Sequence, residues 1–433
     1  MPRFGSSGIR GLANVDVTPD LALRVGQVLG DLYGDVVVGR DPRTTSPMLA
    51  CALLAGVLSS GGHGTDAGLV STPTLARGVA GYGCGAMITA SHNPAPYNGI
   101  KLWNPDGMAF DETQQGEVEA ALDGGRFRRA AWDGVGRLQE RHDLVERHTE
   151  AILKEVGTAK LRVVVDCGCG ATATITPFLL RRMGCEVLAI HGQPDGRFPG
   201  RDPEPTEANL ALLASTVRAT GADLGVAHDG DGDRMVAVDR DGAFVGGDKL
   251  LALFAKREVR SGLVVSVDAS MVLEDLLPKA KVWRTRVGDV YVAQEVKRRG
   301  ADFGGEPSGT WIFPKASLCP DGVYAAARLV SLVAERPLAA YLREIPTYPI
   351  VRGSLPYPLD RWAAIQERLD AALRALPAQL DVVDGWRLRF EDGWALVRFS
   401  GTEPKIRLLA EARTEARAKE IYGTVLSSAQ GAS

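Results

Sequence analysis

The chain is predicted to be a globular α/β protein, with three βα-rich blocks followed by a smaller block of helix and antiparallel strands. Short β-type apolar runs alternate with longer helical ones from Val36 to Ala334. The proline-rich stretch Pro346 to Pro358 breaks that rhythm and reads as a linker. Glycine is abundant, 50 of 433 residues, against an average of about 7%, which marks many tight loops. At about 100–200 residues per domain the length predicts two to four domains.

The elements follow in chain order. Val36-Val37-Val38 is a strand ending at Gly39. Residues 46–60 form an apolar helix, with Ser46 as N-cap and Pro47 at its first position. Ala86-Met87-Ile88 is a short buried strand, and Asp143 to Glu155 a polar-faced helix leading out of the first block. Leu161–Asp166, Thr176–Arg182 and Cys185–Ile190 read as strand, helix, strand, a unit that implies a right-handed crossover and a parallel pair. The pattern recurs with a helix at Asn209–Thr220, a strand at Asp223–Ala227, a helix at Lys249–Lys256 and a strand at Leu263–Val267. Val290–Arg299 and Tyr324–Ala334 are further helices. Beyond the linker come an amphipathic helix, Asp360–Leu376, and a hairpin of Trp386–Phe390 and Trp394–Phe399. The strand Ile406–Ala410 and the helix Glu415–Ser427 complete the chain.

Composition excludes several classes. The 50 Lys+Arg against 53 Asp+Glu leave a net charge of −3, so no global field favours nucleic acid or an acidic membrane. The start has no apolar run of signal-peptide type. The apolar stretch Met48–Ser60 is far shorter than the roughly 20 residues a membrane span needs. Six cysteines in this length do not make a disulfide scaffold. Reduced, buried thiols in a cytoplasmic protein are expected.

Four runs carry chemistry. In His228-Asp229-Gly230-Asp231-Gly232-Asp233-Arg234, three carboxylates alternate with glycines just after a strand. Glycine lets such a loop curl so that Asp229, Asp231 and Asp233 converge on one hard cation, for which Mg²⁺ suits all-oxygen ligands. A calcium EF-hand fails, because Arg234 and Arg240 stand where its Gly and Glu belong. In Thr89-Ala90-Ser91-His92-Asn93-Pro94, followed by Lys101, Ser91 is a candidate nucleophile or phosphate carrier. His92 and Lys101 are candidate proton-handling groups beside it. No G-x-S-x-G elbow surrounds Ser91, against an α/β-hydrolase. Arg398-Phe399-Ser400-Gly401-Thr402-Glu403-Pro404-Lys405-Ile406-Arg407 offers hydroxyls, free backbone and arginines, a cradle for an oxyanion. Gly304-Gly305-Glu306-Pro307-Ser308-Gly309 reads by itself as a turn, although Glu306 and Ser308 can bond sugar hydroxyls. Gly168-Cys169-Gly170-Ala171-Thr172-Ala173 fits a dinucleotide fingerprint, but the next strand, Cys185–Ile190, ends before His191 rather than at an acid, so NAD binding is discounted.

Taken together and in chain order (serine, aspartate, Glu-Pro-Ser and Ser-Gly-Thr runs), the four runs resemble those of the α-D-phosphohexomutase superfamily, from Phe4-Gly5-Ser6-Ser7-Gly8-Ile9-Arg10-Gly11 to Arg407. The string Gly304–Trp311 looks most like the archaeal-type phosphoglucosamine branch. Thr310 stands where many members carry His, and Pro307 departs from the bacterial branches. The resemblance implies four domains around a central cleft, three similar mixed-sheet βα sandwiches and an α+β C-terminal domain. The boundaries expected are 1–148, 149–247, 248–346 and 347–433. It implies that Ser91 is phosphorylated and completes the metal site of Asp229, Asp231 and Asp233. Arg10, Lys101 and Arg234 would surround the transferred phosphoryl group, and Glu306 and Ser308 would read sugar hydroxyls. Arg286 would face the sugar phosphate, while Arg398, Ser400, Gly401, Thr402 and Arg407 would clamp the non-reacting phosphate. The implied reaction interconverts hexose 6- and 1-phosphates through phosphoserine and a hexose 1,6-bisphosphate, with glucosamine phosphate ahead of mannose or glucose phosphate. A non-catalytic sugar-phosphate sensor would be expected to lack Ser91 or an Asp of the metal loop, and both are present. The expected partner is a small-molecule sugar phosphate, with no nucleic acid or membrane; a homodimer stays open.

Overall fold

The computed structural model describes residues 4–5, 8–125, 127–358, 361–400 and 404–432. Its four sheets bear out the expected α/β class with an antiparallel C-terminal domain. The first sheet has six strands, in spatial order Ile9–Leu12, Tyr97–Trp103, Cys84–Ile88, Val36–Arg40, Gly64–Leu69 and Leu138–Glu140. The second runs Phe244–Val245, Met235–Asp239, Leu224–His228, Arg162–Asp166, Glu186–Ile190, and the third Lys281–Thr285, Gly262–Ser266, Phe303–Glu306, Thr310–Ile312. The fourth, Ile350–Pro356, Lys405–Ala412, Gly393–Phe399, Trp386–Arg389, Gln379–Asp381, is antiparallel throughout.

The first three sheets share one device. A buried strand paired in parallel to its neighbour, Cys84–Ile88, Leu224–His228 or Phe303–Glu306, turns back through a short loop into an antiparallel strand. Those three loops are the serine, aspartate and Glu-Pro-Ser runs. Each therefore hangs at the carboxyl end of a parallel strand, the usual place for a site in such sheets. The fourth run joins Gly393–Phe399 to Lys405–Ala412.

Parallel strands need both faces covered, so they read as continuous apolar runs. Val36, Val37 and Val38 are all fully buried, as are Val163, Val164 and Val165. A single core cluster runs from Ile152 to Ile345 and unites the second and third blocks. The first block and the C-terminal block keep cores of their own. Among the described residues no helix is long and apolar enough to cross a membrane.

Several expectations are corrected. The residues read as a linker contain the strand Ile350–Pro356, paired along its length with Lys405–Ala412. It lies at the sheet edge, where proline costs no ladder bond. Gly304-Gly305-Glu306 is strand rather than turn. The N-cap position of the helix Ser46–Ser59 falls on Thr45, whose side chain makes no capping bond, and the Ser46 hydroxyl, inside the helix, donates to Asp41 Oδ1 (2.8 Å). Five cysteines are buried as expected, but Cys51 is exposed.

Candidate active site

The serine loop rests on a buried guanidinium. Ser91 is 1% exposed and sits at φ +49°, a conformation that strains a residue with a side chain. Its N–H donates to Thr89 Oγ1 (2.8 Å). Arg43, fully buried, donates to the carbonyls of Ser91 (2.8 Å), Asn93 (2.7 Å), Pro94 (2.8 Å) and Tyr97 (2.9 Å). Its Nε donates to Asp41 Oδ2 (3.0 Å), which also accepts from Thr89 Oγ1 (2.7 Å). One side chain thus satisfies four loop carbonyls that would otherwise be orphaned. Asp41 and Arg43 are supports that sequence reasoning missed; the signal that could have found them is the charged run Arg40-Asp41-Pro42-Arg43 just after the apolar Val36–Val38.

The aspartate loop lies against it. Asp229 and Asp231 are fully buried and Asp233 is 7% exposed, with one oxygen of each within 4.8 Å of the others. Ser91 Oγ donates to Asp229 Oδ2 (2.6 Å), while Asp229 Oδ1 accepts from the N–H groups of Gly232 (3.0 Å) and Arg234 (3.1 Å). Thr72 Oγ1 donates to Asp231 Oδ2 (2.5 Å). Asp231 Oδ1 and Asp233 Oδ1 are buried with no partner. Burial, then the neighbouring carboxylates, pushes Asp229 well above the usual range and Asp233 up to about 6. Unpartnered carboxylate oxygens converging this closely fit a hard divalent cation.

The glycines here serve close approach. A Cβ on Gly230 would sit 2.6 Å from the Ser91 carbonyl oxygen, and one on Gly170 would sit 2.6 Å from that of Gly230. The dinucleotide-like run thus packs beneath the aspartate loop, Ala171 N donating to Gly230 O (2.9 Å). A second Arg–Asp pair braces it: Arg201 donates to Asp166 Oδ2 (2.9 Å) and to the His228 carbonyl (2.6 Å).

Cations surround Ser91. Arg10 donates to Asn93 Oδ1 (3.2 Å), and its Nε is buried without a partner. Lys101 pairs with Asp289 (2.6 Å); although burial opposes it, Asp289 and Asp233 raise its pKa, so the ammonium stays protonated. His92 Nδ1 lies 3.3 Å from Ser91 Oγ. Burial, with Arg234 and Arg10 nearby, pushes His92 down to about 2, so the imidazole is neutral.

Ser91, Arg10, Lys101, Glu306, Arg398 and Arg407 all line one cavity of about 540 Å³, together with Asp233, Arg234, Ser308 and Ser400. Glu306 accepts from Gly288 N (2.8 Å), and burial, then Asp268, pushes it up to about 8. Ser308 Oγ lies 3.1 Å from Thr310 Oγ1. Arg398 and Arg407 stand directly opposite each other on paired strands, and Arg398 contacts Asp384 (3.3 Å). Gly401 and Thr402 lie outside the described residues. Arg286 is not among the residues lining this cavity: its guanidinium pairs with Glu112 (2.9 Å) and stacks 3.8 Å over the Tyr291 ring. Val287, Gly288 and Asp289 line the cleft there.

Four alternating sheets presenting four loops to one cleft define a class, and comparison with known proteins identifies it. Models of phosphoglucomutase/phosphomannomutase α/β/α domains I, II and III match residues 1–129, 143–242 and 246–348, and that of the C-terminal domain matches residues 358–426. The chain belongs to the phosphoglucomutase/phosphomannomutase family. It is 53% identical over 416 residues to a "probable phosphoglucosamine mutase" of Methanosarcina barkeri, covering 95% of this chain and 96% of that one. A protein of Methanococcoides burtonii with the same description is 52% identical, again over 95% and 96%. The crystal structure of a phosphoglucomutase/phosphomannomutase family protein from Burkholderia thailandensis superposes with a TM-score of 0.90 at 27% identity, over 99% of this chain and 97% of that one.

Proposed function

We propose that the chain is a mutase that interconverts glucosamine 6-phosphate and glucosamine 1-phosphate in the cytoplasm, with mannose or glucose phosphate as the alternative substrates. The observation that carries the reading is Ser91 Oγ, 2.6 Å from a converging carboxylate triad, opening on the same cavity as Arg398 and Arg407. A phosphoryl carrier and a clamp for a second phosphate at the two ends of one cleft suit a substrate phosphorylated at either end. The relatives' description favours glucosamine. The four loops are assigned to domains 1–148, 149–247, 248–346 and 347–433.

In the forward half-reaction the sugar's C1 oxygen bonds to phosphorus as the Oγ–P bond of phosphorylated Ser91 breaks, giving a 1,6-bisphosphate. The hydroxyl proton ends on Ser91 Oγ, so the transfer balances. Neutral His92, 3.3 Å from that oxygen, is assigned the relay. Protonated Lys101, with Arg10 and Arg234, offsets charge on the equatorial oxygens. Asp229, Asp231 and Asp233 would hold Mg²⁺, which when bound supplies charge neutralisation at the phosphoryl group. Glu306 and Ser308 orient the sugar hydroxyls, and Arg398, Ser400, Gly401, Thr402 and Arg407 hold the non-reacting phosphate. The bisphosphate then turns, and its C6 phosphoryl passes to Ser91. Hexose 1,6-bisphosphate is thus also the priming activator. The test is a coupled assay of the chain with Mg²⁺ and bisphosphate on glucosamine, mannose and glucose 6-phosphates. Fastest turnover of the glucosamine ester supports the reading, and equal rates on all three contradict the glucosamine assignment.

A further inference from the structure

The aspartates of the candidate metal site are not held alike. Asp229 is held by its own loop and by the serine loop. Its Oδ1 accepts from Gly232 N (3.0 Å) and Arg234 N (3.1 Å), and its Oδ2 from Ser91 Oγ (2.6 Å). Asp231 is instead held by a helix of the first block. Thr72 Oγ1 donates to Asp231 Oδ2 (2.5 Å), and Thr72 N donates to the Asp231 carbonyl (2.8 Å). The two residues are 159 positions apart in the chain, and both are fully buried. Asp231 Oδ1 stays buried with no partner. A hydroxyl has one proton to donate, and here a carboxylate of the aspartate loop takes it.

The packing around Thr72 fixes where that hydroxyl points. Thr72 opens the helix Thr72–Gly78, whose N-cap Ser71 accepts from Thr74 N (3.4 Å). Thr74 Oγ1 lies 2.9 Å from His148 Nδ1, and His148 Nε2 donates to Asp321 Oδ2 (3.0 Å). Arg77, at the other end of the helix, donates to the same Asp321 oxygen (3.3 Å). The next residue, Gly322, returns to the aspartate loop, its N–H donating to the Gly232 carbonyl (3.2 Å). A Cβ on Gly232 would sit 2.3 Å from Thr172 Cγ2 and 3.4 Å from Ser71 Cβ. The loop is thus gripped by Ser71 and Thr72, by Thr172 and by Gly322. Thr72 and Asp231 are held in register from both sides.

A hydroxyl bond made in advance leaves a carboxylate less freedom to lose when a cation arrives. Groups that bond a ligand carboxylate from outside the coordination sphere typically change metal affinity by about 10- to 100-fold. We propose that Thr72 is the positioning residue for Asp231: its hydroxyl holds Oδ2 and so leaves Oδ1 as the oxygen offered to the cation. The site is thereby built across two blocks, with its aspartates on the second and this support on the first. The proposal rests on the Mg²⁺ reading of the aspartate loop above.

The test is calorimetric titration of the full chain with Mg²⁺ alone, without sugar phosphate, on wild type, Thr72→Val and Thr72→Ser. Valine keeps the shape and loses the donor, whereas serine keeps the donor and loses a methyl group. Thr72→Val is expected to bind Mg²⁺ about 10- to 100-fold more weakly than wild type. Thr72→Ser is expected to stay within about threefold of wild type, because the hydroxyl donor persists. A merely structural role would lower the melting temperature of the variants without separating their Mg²⁺ affinities. Wild-type affinity in Thr72→Val, or equal weakening in both variants, therefore overturns the proposal. Wild-type chain that binds no Mg²⁺ overturns the metal reading itself, and the role of Thr72 with it. If Thr72→Val does not fold, Thr72→Ala replaces it, with the same loss expected and wild-type affinity again refuting.

Discussion

Replacing Arg43 by Met removes a fully buried guanidinium that donates to four carbonyls of the serine loop and to Asp41. Breaking a buried ion pair by deleting one partner costs about 3–5 kcal/mol. Each orphaned carbonyl adds about 1–3 kcal/mol, less than additively because the loop relaxes. Asp41 would be left with hydroxyl and backbone donors only, in a site where burial already pushes its pKa up. A loss of about 5 kcal/mol or more follows, comparable with the roughly 5–15 kcal/mol that holds a domain together. At about 2–4 °C per kcal/mol, scanning calorimetry should show the first domain's transition lowered by about 10 °C or more. Arg43→Lys keeps the charge but not the fork, so it should fall nearer the Met variant than the wild type. In both variants, phosphorylation of Ser91 by a 1,6-bisphosphate should slow, because the strained φ of Ser91 loses its support. An Arg43→Met protein melting within about 2 °C of wild type would show that the loop is held by something else.

Gly230→Ala drives a methyl group into the Ser91 carbonyl 2.6 Å away. It should cost at least about a hundredfold in turnover and weaken metal binding, read by titration calorimetry with Mg²⁺, and wild-type affinity would contradict the close packing of the two loops. For Glu306, the folded state keeps its proton up to about pH 8 whereas the unfolded chain gives it up near 4.5. Stability therefore falls as pH rises between those values, because the folded state binds the extra proton. Glu306→Gln should match wild type near pH 4.5 and exceed it by a few kcal/mol at pH 9 in urea titrations, at the expense of turnover; equal stability at both pH values would contradict this. Asp321 accepts from His148 Nε2 (3.0 Å) and from Arg77 (3.3 Å), and caps the helix Gly322–Glu335 through Tyr324 N (2.8 Å). Although burial opposes it, His148 and Arg77 hold its carboxyl below the usual range. Its contribution is present above pH 3.8 and lost as pH falls below that value. Asp321→Asn should lower the melting temperature at pH 7 and narrow that gap in acid, and an unchanged value at pH 7 would contradict it.

What the sequence disclosed and what it hid divide along one physical line. Ser91, the three aspartates and the Arg398–Arg407 run are legible because each loop packs its chemistry into a few consecutive residues. The buried strands beneath them are legible because parallel pairing demands unbroken apolar runs. The supports were invisible because each acts across a long stretch of chain. Arg43 reaches carbonyls about fifty residues on, Arg201 reaches His228, and His148 meets Asp321 from another block. The edge strand Ile350–Pro356 was hidden by prolines that signal a linker in isolation. Arg286 sits in a run that reaches the cleft, but its own partner, Glu112, lies far away in the chain.

The decisive experiment compares wild-type chain with Ser91→Ala in the conversion of glucosamine 6-phosphate to glucosamine 1-phosphate, with Mg²⁺ and a 1,6-bisphosphate present. Wild type should turn over and become phosphorylated on Ser91, whereas the variant should lose at least about a thousandfold in rate while still unfolding in a cooperative thermal transition. Near-normal turnover by Ser91→Ala would contradict the phosphoserine cycle and with it the role assigned to the whole cleft.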